Sequence, residues 1–159
     1  MPRSLRLPAV AAALGASAWG SAVAEPPRAA QDDAAPAAAA QRTTVAVRSS
    51  RFGRVLTDGR GFALYLFTKD GRGPSRCYGA CAKAWPPLYT SGRPRAGKGA
   101  IAGKLGTTRR RNGRLQVTYA GQPLYYYVGD TRPGLILCQD VLEFGGRWLV
   151  VAPSGRAVT

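Results

Sequence analysis

The chain has 159 residues, of which 23 are Lys or Arg and 8 are Asp or Glu, so its formal net charge is +15. It contains no His, and its single Met is the first residue. These absences exclude Ser-His-Asp and Cys-His hydrolysis, His-based zinc or blue-copper sites and haem attachment. We therefore expect a protein that is not an enzyme and holds no cofactor.

The first 24 residues are typical of a secretory signal peptide. Arg3 and Arg6 precede an apolar stretch from Ala9 to Ala18, and Ala22-Val23-Ala24 is a small-x-small cleavage pattern. The apolar stretch is too short to cross a bilayer, although it could also be a soluble N-terminal helix. We predict cleavage after Ala24, a secreted or extracytoplasmic location, and no transmembrane segment in the mature chain.

Residues 25–42 contain no aromatic or β-branched side chain and are rich in Ala and Pro. Such a segment cannot bury enough apolar surface to offset the entropy of its chain, so a disordered spacer is predicted. Residues 43–159 then form a single domain.

Short strands separated by turn signals dominate this domain, which predicts a mainly all-β fold. Asp58-Gly59 predicts a hairpin turn, and Asn112-Gly113 and Ala120-Gly121 join the strands of a three-stranded meander. The predicted strands are Thr43–Arg48, Gly53–Thr57, Phe62–Phe67, Lys104–Arg110, Leu115–Tyr119, Leu124–Val128 and Trp148–Ala152.

Two segments of the domain differ from this pattern. Arg93–Gly103 is rich in Gly, Pro and basic residues and predicts a mobile loop. Only one stretch predicts helix: Ser75 can act as an N-cap, and one short helical turn is expected around Cys77–Ala84.

A ten-residue segment occurs twice, 60 positions apart. Gly61–Asp70 aligns without a gap with Gly121–Asp130. Tyr65, Phe67 and Asp70 therefore correspond to Tyr125, Tyr127 and Asp130. We interpret the aromatic pairs as the filling of a small β core. Each Asp would accept turn amides or a Tyr hydroxyl from the other copy. An aromatic binding face with an acidic rim is the functional alternative.

These segments carry a resemblance to a known family, the secreted-repeat family of predicted bacterial lipoproteins with a Tyr-x-aromatic-x-x-Asp motif. The likeness spans roughly residues 52–155 and predicts two pseudo-repeated hairpin and meander units, at about 52–90 and 104–155, in one compact β domain. It also rests on Cys77–Cys81, Trp85–Leu88, Leu105–Thr107, Val117–Tyr119 and Phe144–Trp148.

The resemblance implies an extracytoplasmic location and no established activity. The chain departs from the family in three ways. It has no lipid-attachment Cys, Gln122 stands where many members have His, and Cys138 stands where some have a Gly/Asn-rich turn.

The three cysteines leave at least one thiol free or paired between molecules. The family pattern implies a Cys77–Cys81 disulfide, whereas a regular helix there would favour a bridge from one of them to Cys138. The functional alternative to a structural disulfide is a redox-active pair, or a three-thiolate site for Cu(I) or Zn(II).

The densest basic cluster comprises Arg109, Arg110, Arg111 and Arg114. Such a cluster can attract anionic cell-wall or membrane-surface polymers, but it can equally be a solvated surface in a protein with an Arg-rich composition. No motif for specific nucleic-acid recognition is present.

Our leading hypothesis is therefore a non-enzymatic secreted or envelope-associated module that binds anionic surface material. The second is an extracytoplasmic thiol redox or soft-metal protein using Cys77, Cys81 and Cys138. The last is a hydrolase using Asp140 and Glu143.

Overall fold

The structure is a computed structural model and describes residues 42–159. The predicted signal peptide and nearly all of the predicted spacer lie outside the described residues. Within residues 42–159, no helix is long and apolar enough to cross a membrane.

The described part of the chain has the mainly all-β fold that the sequence predicts, with ten strands, one α-helix and one 3-10 turn. The elements are β1 (Thr44–Ser50), β2 (Gly53–Asp58), β3 (Tyr65–Phe67), α1 (Ala80–Ala84), β4 (Tyr89–Thr90), β5 (Arg95–Ala96), the 3-10 turn (Ala102–Lys104), β6 (Leu105–Arg109), β7 (Leu115–Tyr119), β8 (Gln122–Pro123), β9 (Val141–Glu143) and β10 (Gly146–Val150).

The strands form three small sheets. One has the order β2-β1-β5, the second has the order β3-β10-β9, and the third has the order β4-β7-β6 with β8 also paired to β7. All pairs are antiparallel except β1 with β5.

Two predicted strand pairings are shorter than expected. The segment after the Asp58 turn touches β2 only through an isolated bridge between Thr57 and Ala63, and β3 pairs with β10 instead. The predicted third strand of the meander, Leu124–Val128, does not form: only Gln122–Pro123 (β8) before it pairs with β7, and Tyr125 bridges to Tyr65 of the other repeat. In both places a long-range partner replaces the neighbour along the chain.

Two local predictions are wrong. The predicted loop Arg93–Gly103 contains β5, which pairs in parallel with β1, and most of the 3-10 turn. Ser75 does not cap the helix, because α1 begins only after Gly79. The φ of Gly79 is 57°, a left-handed conformation that suits glycine and that no helical turn from Ser75 could pass through. The Ser75 hydroxyl instead lies among buried polar groups, which are described with the site.

Each repeat pairs its motif strand or segment with a later segment of the other repeat. β3 of the first repeat pairs with β10 of the second, with Phe67 opposite Trp148 and Tyr65 opposite Val150. The second repeat makes the equivalent contacts with the end of the first, since Tyr125 bridges to Pro87.

Backbone hydrogen bonds repeat the same symmetry. The Thr68 amide donates to Arg147 at 3.0 Å, and the Val128 amide donates to Ala84 at 3.0 Å. Residues 84–88 do not form a regular strand because Pro86 has no N–H and neither does the proline that follows it. The fold is therefore an interlocked pair with approximate two-fold symmetry.

Two groups of buried side chains make up the core. One is mainly aliphatic and includes Leu56, Leu64 and Leu124. The other is mainly aromatic and contains the paired motif rings together with Trp85 and Trp148.

Gly146 provides a test of how closely β10 and β3 pack. A Cβ at Gly146 would lie 2.6 Å from Cε2 of Phe67 and 3.2 Å from the backbone nitrogen of Lys69. We expect Gly146→Ala to lower the free energy of unfolding by about 1–3 kcal/mol in urea titrations. Gly103→Ala is the control, because its Cβ meets nothing within 4 Å, and it should change stability by less than about 0.5 kcal/mol. Equal effects of the two substitutions would contradict this packing.

Candidate functional site

The two Tyr-x-aromatic-x-x-Asp motifs meet at the approximate two-fold axis. The Tyr65 amide donates to the Tyr125 carbonyl, and the reverse bond is also made, both at 2.9 Å. The Tyr65 hydroxyl donates to Oδ2 of Asp130 at 2.6 Å, and the Tyr125 hydroxyl donates to Oδ2 of Asp70 at 2.5 Å. Each repeat therefore places its tyrosine on the carboxylate of the other.

Both carboxylates also close their own turns. Oδ1 of Asp70 accepts the Arg76 amide at 2.6 Å, and Oδ1 of Asp130 accepts the Leu137 amide at 3.0 Å. Burial raises the pKa of Asp70 and of Asp130, although these hydrogen bonds oppose the shift. Burial and the adjacent carboxylates also raise the pKa values of the Tyr65 and Tyr125 hydroxyls, which stay protonated as donors.

Three aromatic rings, those of Phe67, Trp148 and Trp85, stack across the same axis, and the ring of Tyr127 packs on Trp85 at a tilt of 39°. Successive ring centroids are 4.2, 4.1 and 4.7 Å apart, and the two indoles are parallel to within 4°. The outer rings are the second aromatic positions of the two motifs. The series of rings ends at the half-buried ring of Tyr127, so the aromatic core reaches the surface there.

Sequence reasoning missed the partnership of the two tryptophans. Each follows its motif, and Trp148 stands 63 residues after Trp85. That near-repeat of the motif offset was the available signal. The indole N–H of Trp85 donates to Glu143 at 2.9 Å, whereas the buried indole N–H of Trp148 has no hydrogen-bond partner among the described residues.

Arg110 does not belong with the other arginines of its cluster, because its side chain is only 4% exposed. Its guanidinium donates to the Ser75 hydroxyl at 2.6 Å, to Oε1 of Gln116 at 2.7 Å and to the Cys77 carbonyl at 2.5 Å. Oγ of Ser75 lies 2.7 Å from the Tyr125 hydroxyl. Arg110 is thus linked to the Tyr125–Asp70 pair rather than to solvent.

The other three arginines of the cluster are exposed on the β6–β7 turn. The guanidinium carbon of Arg111 lies 4.4 Å from the ring centroid of Tyr78, and that of Arg114 lies 3.5 Å from the ring of Tyr89. Arg109 donates to the Gly113 carbonyl at 2.8 Å. We call Arg109, Arg111 and Arg114 the arginine turn.

The cysteines are divided between the two repeats. Cys77 and Cys81 form a disulfide, so the pairing implied by the family resemblance is the one present, and Cys138 is free. Burial raises the pKa of the Cys138 thiol, which keeps it protonated and weakly nucleophilic. Residues 42–159 contain no cluster of three Cys, Asp or Glu able to hold a metal. The soft-metal and redox hypothesis is not favoured by this arrangement.

The remaining acidic residues do not assemble into a paired-carboxylate site. Asp58 accepts the amides of Arg60, Gly61 and Phe62 and so closes a turn. Asp140 forms an exposed ion pair with Arg147, and Glu143 accepts the indole of Trp85.

A groove that sequence reasoning also missed runs beside the motif of the second repeat. Two cavities of about 340 and 320 Å³ both have Arg60 and Tyr126 in their lining, and we call them together the Tyr126 groove. Its lining includes Phe62, Tyr127 and Asp130. No local pattern unites these residues, because they come from different repeats.

A family model described as a secreted repeat of unknown function matches the chain twice, over residues 46–89 and 106–152. The two matches coincide with the two interlocked halves of the domain. Searches of curated proteins and of solved structures found no significant match.

The crossed Tyr–Asp pairs can be tested through stability. We expect Tyr65→Phe and Tyr125→Phe each to lower the free energy of unfolding by about 1–3 kcal/mol, since a buried carboxylate loses a donor. Tyr78→Phe, at a half-buried ring outside the pairs, should cost less than about 0.5 kcal/mol. Urea unfolding followed by tryptophan fluorescence measures all three, and equal costs would contradict a special role for the crossed pairs.

The same carboxylates predict an unusual pH dependence. Their pKa values are raised in the folded state, so the folded chain binds protons at a higher pH than the unfolded chain does. The contribution of these two carboxyls to the free energy of unfolding should therefore increase as the pH falls through their raised pKa values.

The matched variants separate this effect from general charge effects. Asp130→Asn should reduce the pH slope of stability, because one of the two shifted groups is removed. Asp140→Asn, at an exposed carboxylate, should leave the slope unchanged. Urea unfolding at several pH values decides, and a wild-type slope in Asp130→Asn would refute the expectation.

Proposed function

The chain belongs to the family of secreted repeats of unknown function, and from this premise we propose that it is a non-enzymatic extracytoplasmic module. We propose further that the arginine turn binds anionic polymers of the cell surface. The observation that carries this proposal is the set of exposed guanidiniums on one turn that is anchored by a buried fourth arginine.

The charge balance of the surface supports this proposal. Asp58, Asp70 and Asp130 are buried at 3, 6 and 5% exposure, and only two ion pairs occur among residues 42–159. Most of the basic side chains among residues 42–159 therefore form no ion pair with an acidic side chain. A surface of this kind attracts polyanions over distances of about a Debye length.

The arginine turn concentrates this charge on a rigid support. The ring centroid of Tyr78 lies 4.4 Å from the guanidinium carbons of both Arg110 and Arg111. The buried Arg110 guanidinium also donates three hydrogen bonds to protein groups. The Cys77–Cys81 disulfide flanks Tyr78 in the chain. Fixed arginines lose less side-chain entropy on binding, and their N–H groups suit bidentate contact with phosphate or carboxylate oxygens.

The missing catalytic groups favour binding over chemistry. The chain has no His, and the carboxylates of the described residues close turns or accept hydrogen bonds from protein groups. A binding module needs no general base, so the residue content and the proposed role agree.

The proposal can be tested with the mature chain and a poly(glycerol phosphate) polymer as the probe. Wild-type protein should bind at about 50 mM salt and release at about 500 mM, because each phosphate contact displaces a counterion. The triple variant Arg109→Gln/Arg111→Gln/Arg114→Gln should bind about tenfold more weakly or worse, and its affinity should depend less on salt.

A second triple variant with the same change in charge provides the control. Arg54, Arg132 and Arg156 are exposed elsewhere, and their replacement by Gln should weaken binding less than about threefold. Equal loss in both triple variants would refute the arginine turn as the site. Binding by the wild type that does not change with salt, or no binding at low salt, would refute the function.

A further inference from the structure

The Tyr126 groove differs in charge from the rest of the protein. Its charged lining consists of Arg42, Arg60, Asp58 and Asp130, so two cations face two carboxylates. Basic residues outnumber acidic ones by 23 to 8 over the whole chain. The groove is therefore nearly neutral on a strongly basic protein, which makes it a poor place for a polyanion and a suitable place for an uncharged ligand.

The walls of the groove supply aromatic surface. Phe62, Tyr126 and Tyr127 are half-buried, so each presents part of its ring to solvent. Tyr127 is backed by Trp85 at 4.7 Å between ring centroids, and the Arg60 guanidinium lies 5.0 Å from the Phe62 centroid. These contacts hold the rings in place without a ligand, so little order has to be gained on binding.

The polar atoms of the groove act mainly as acceptors, because their own protons are already used. The Tyr126 hydroxyl donates to Oδ2 of Asp58 at 3.0 Å, and Oδ2 of Asp130 receives the Tyr65 hydroxyl. Lone pairs that remain on these oxygens can accept hydrogen bonds from a ligand. Arg60, whose side chain is 72% exposed, supplies the main donor on the groove wall.

A polyol ring meets all these conditions. Its hydroxyls donate to carboxylate and phenol oxygens and accept from a guanidinium, and its C–H faces pack on aromatic rings. A proline-rich peptide also packs on aromatic rings, but it offers backbone carbonyls that need tyrosine donors, and the Tyr126 hydroxyl already donates to Asp58. The two cavities, about 340 and 320 Å³, fall in the size range of small-ligand sites, about 300–1,000 Å³.

We infer that the Tyr126 groove binds an uncharged saccharide, with the ring stacked on Tyr127 and its hydroxyls bonded to Asp130 and Arg60. This site is separate from the arginine turn, so it adds a second ligand class to the proposed function. The two sites differ in their expected response to salt, since stacking and hydrogen bonding to a neutral sugar are screened very little.

The test uses the mature chain with three probes: an N-acetylglucosamine tetramer, cellotetraose and a proline decamer. Binding is measured by calorimetry and by the fluorescence of Trp85, which is in contact with Tyr127. We expect at least one saccharide to bind and to change the tryptophan emission, with an affinity that varies less than about twofold between about 50 and 500 mM salt.

Variants locate the binding. Tyr127→Ala should weaken saccharide binding about tenfold or more, whereas Tyr127→Phe keeps the ring and should stay within about threefold of the wild type. Phe144→Ala removes an exposed aromatic ring outside the groove and should have no effect. If Tyr127→Ala proves unstable, Arg60→Gln serves as the loss variant in its place. Tyr127→Phe remains the control, because it keeps the ring in contact with Trp85.

Three results would overturn the inference. They are no binding of either saccharide, binding of the proline decamer alone, and saccharide binding that Tyr127→Ala and Arg60→Gln leave unchanged. None of these bears on the arginine turn, whose test uses a charged polymer and different variants, so the failure of one proposal is distinguishable from the failure of the other.

Discussion

The structure depends on the exchange of hydrogen bonds between two copies of one motif. Tyr65 and Tyr125 pair through their backbones, and each hydroxyl reaches the buried carboxylate of the opposite repeat. A buried carboxylate that lacks donors is costly, and each aspartate obtains one donor from a turn amide of its own repeat and a second from the tyrosine of the other repeat. The exchange of β10 and of residues 84–88 between the repeats follows the same symmetry and places Trp85 and Trp148 face to face. The hydrogen bonding of the buried aspartates and the packing of the aromatic rings therefore require the same interlocked arrangement.

This constraint extends from the core to the surface through Arg110. Its guanidinium is tied to Ser75, which lies against the hydroxyl of Tyr125, and it also lies beside the ring of Tyr78. The β6–β7 turn is thus braced by the same network that joins the two motifs. A buried arginine with three hydrogen bonds to protein groups is costly to replace, and under the proposed function its role is to position the exposed arginines beside it.

The two halves of the interlocked core differ where they reach solvent. The first repeat contributes the disulfide and the short helix, whereas the second contributes the basic β6–β7 turn and the free thiol. The nearly neutral groove is lined by residues of both repeats. Duplication of a motif allows such divergence, because the shared axis keeps the core while the peripheral segments vary. The proposed binding of polyanions and of an uncharged saccharide assigns one ligand class to each of these differently charged surfaces.

Sequence alone determined the β class, the motif copies and the turn at Asp58, because alternation of side chains and turn chemistry are local properties. It also indicated that each Asp could accept a tyrosine hydroxyl from the other copy, and Asp70 and Asp130 do accept those hydroxyls. Tertiary structure alone decided which strand each motif pairs with, the burial of Arg110 within an arginine cluster, and the groove between Arg60 and Tyr127. These features join residues that are distant in the chain. Which residues come into contact depends on how the two repeats pack together, and the spacing of residues along the chain does not indicate it.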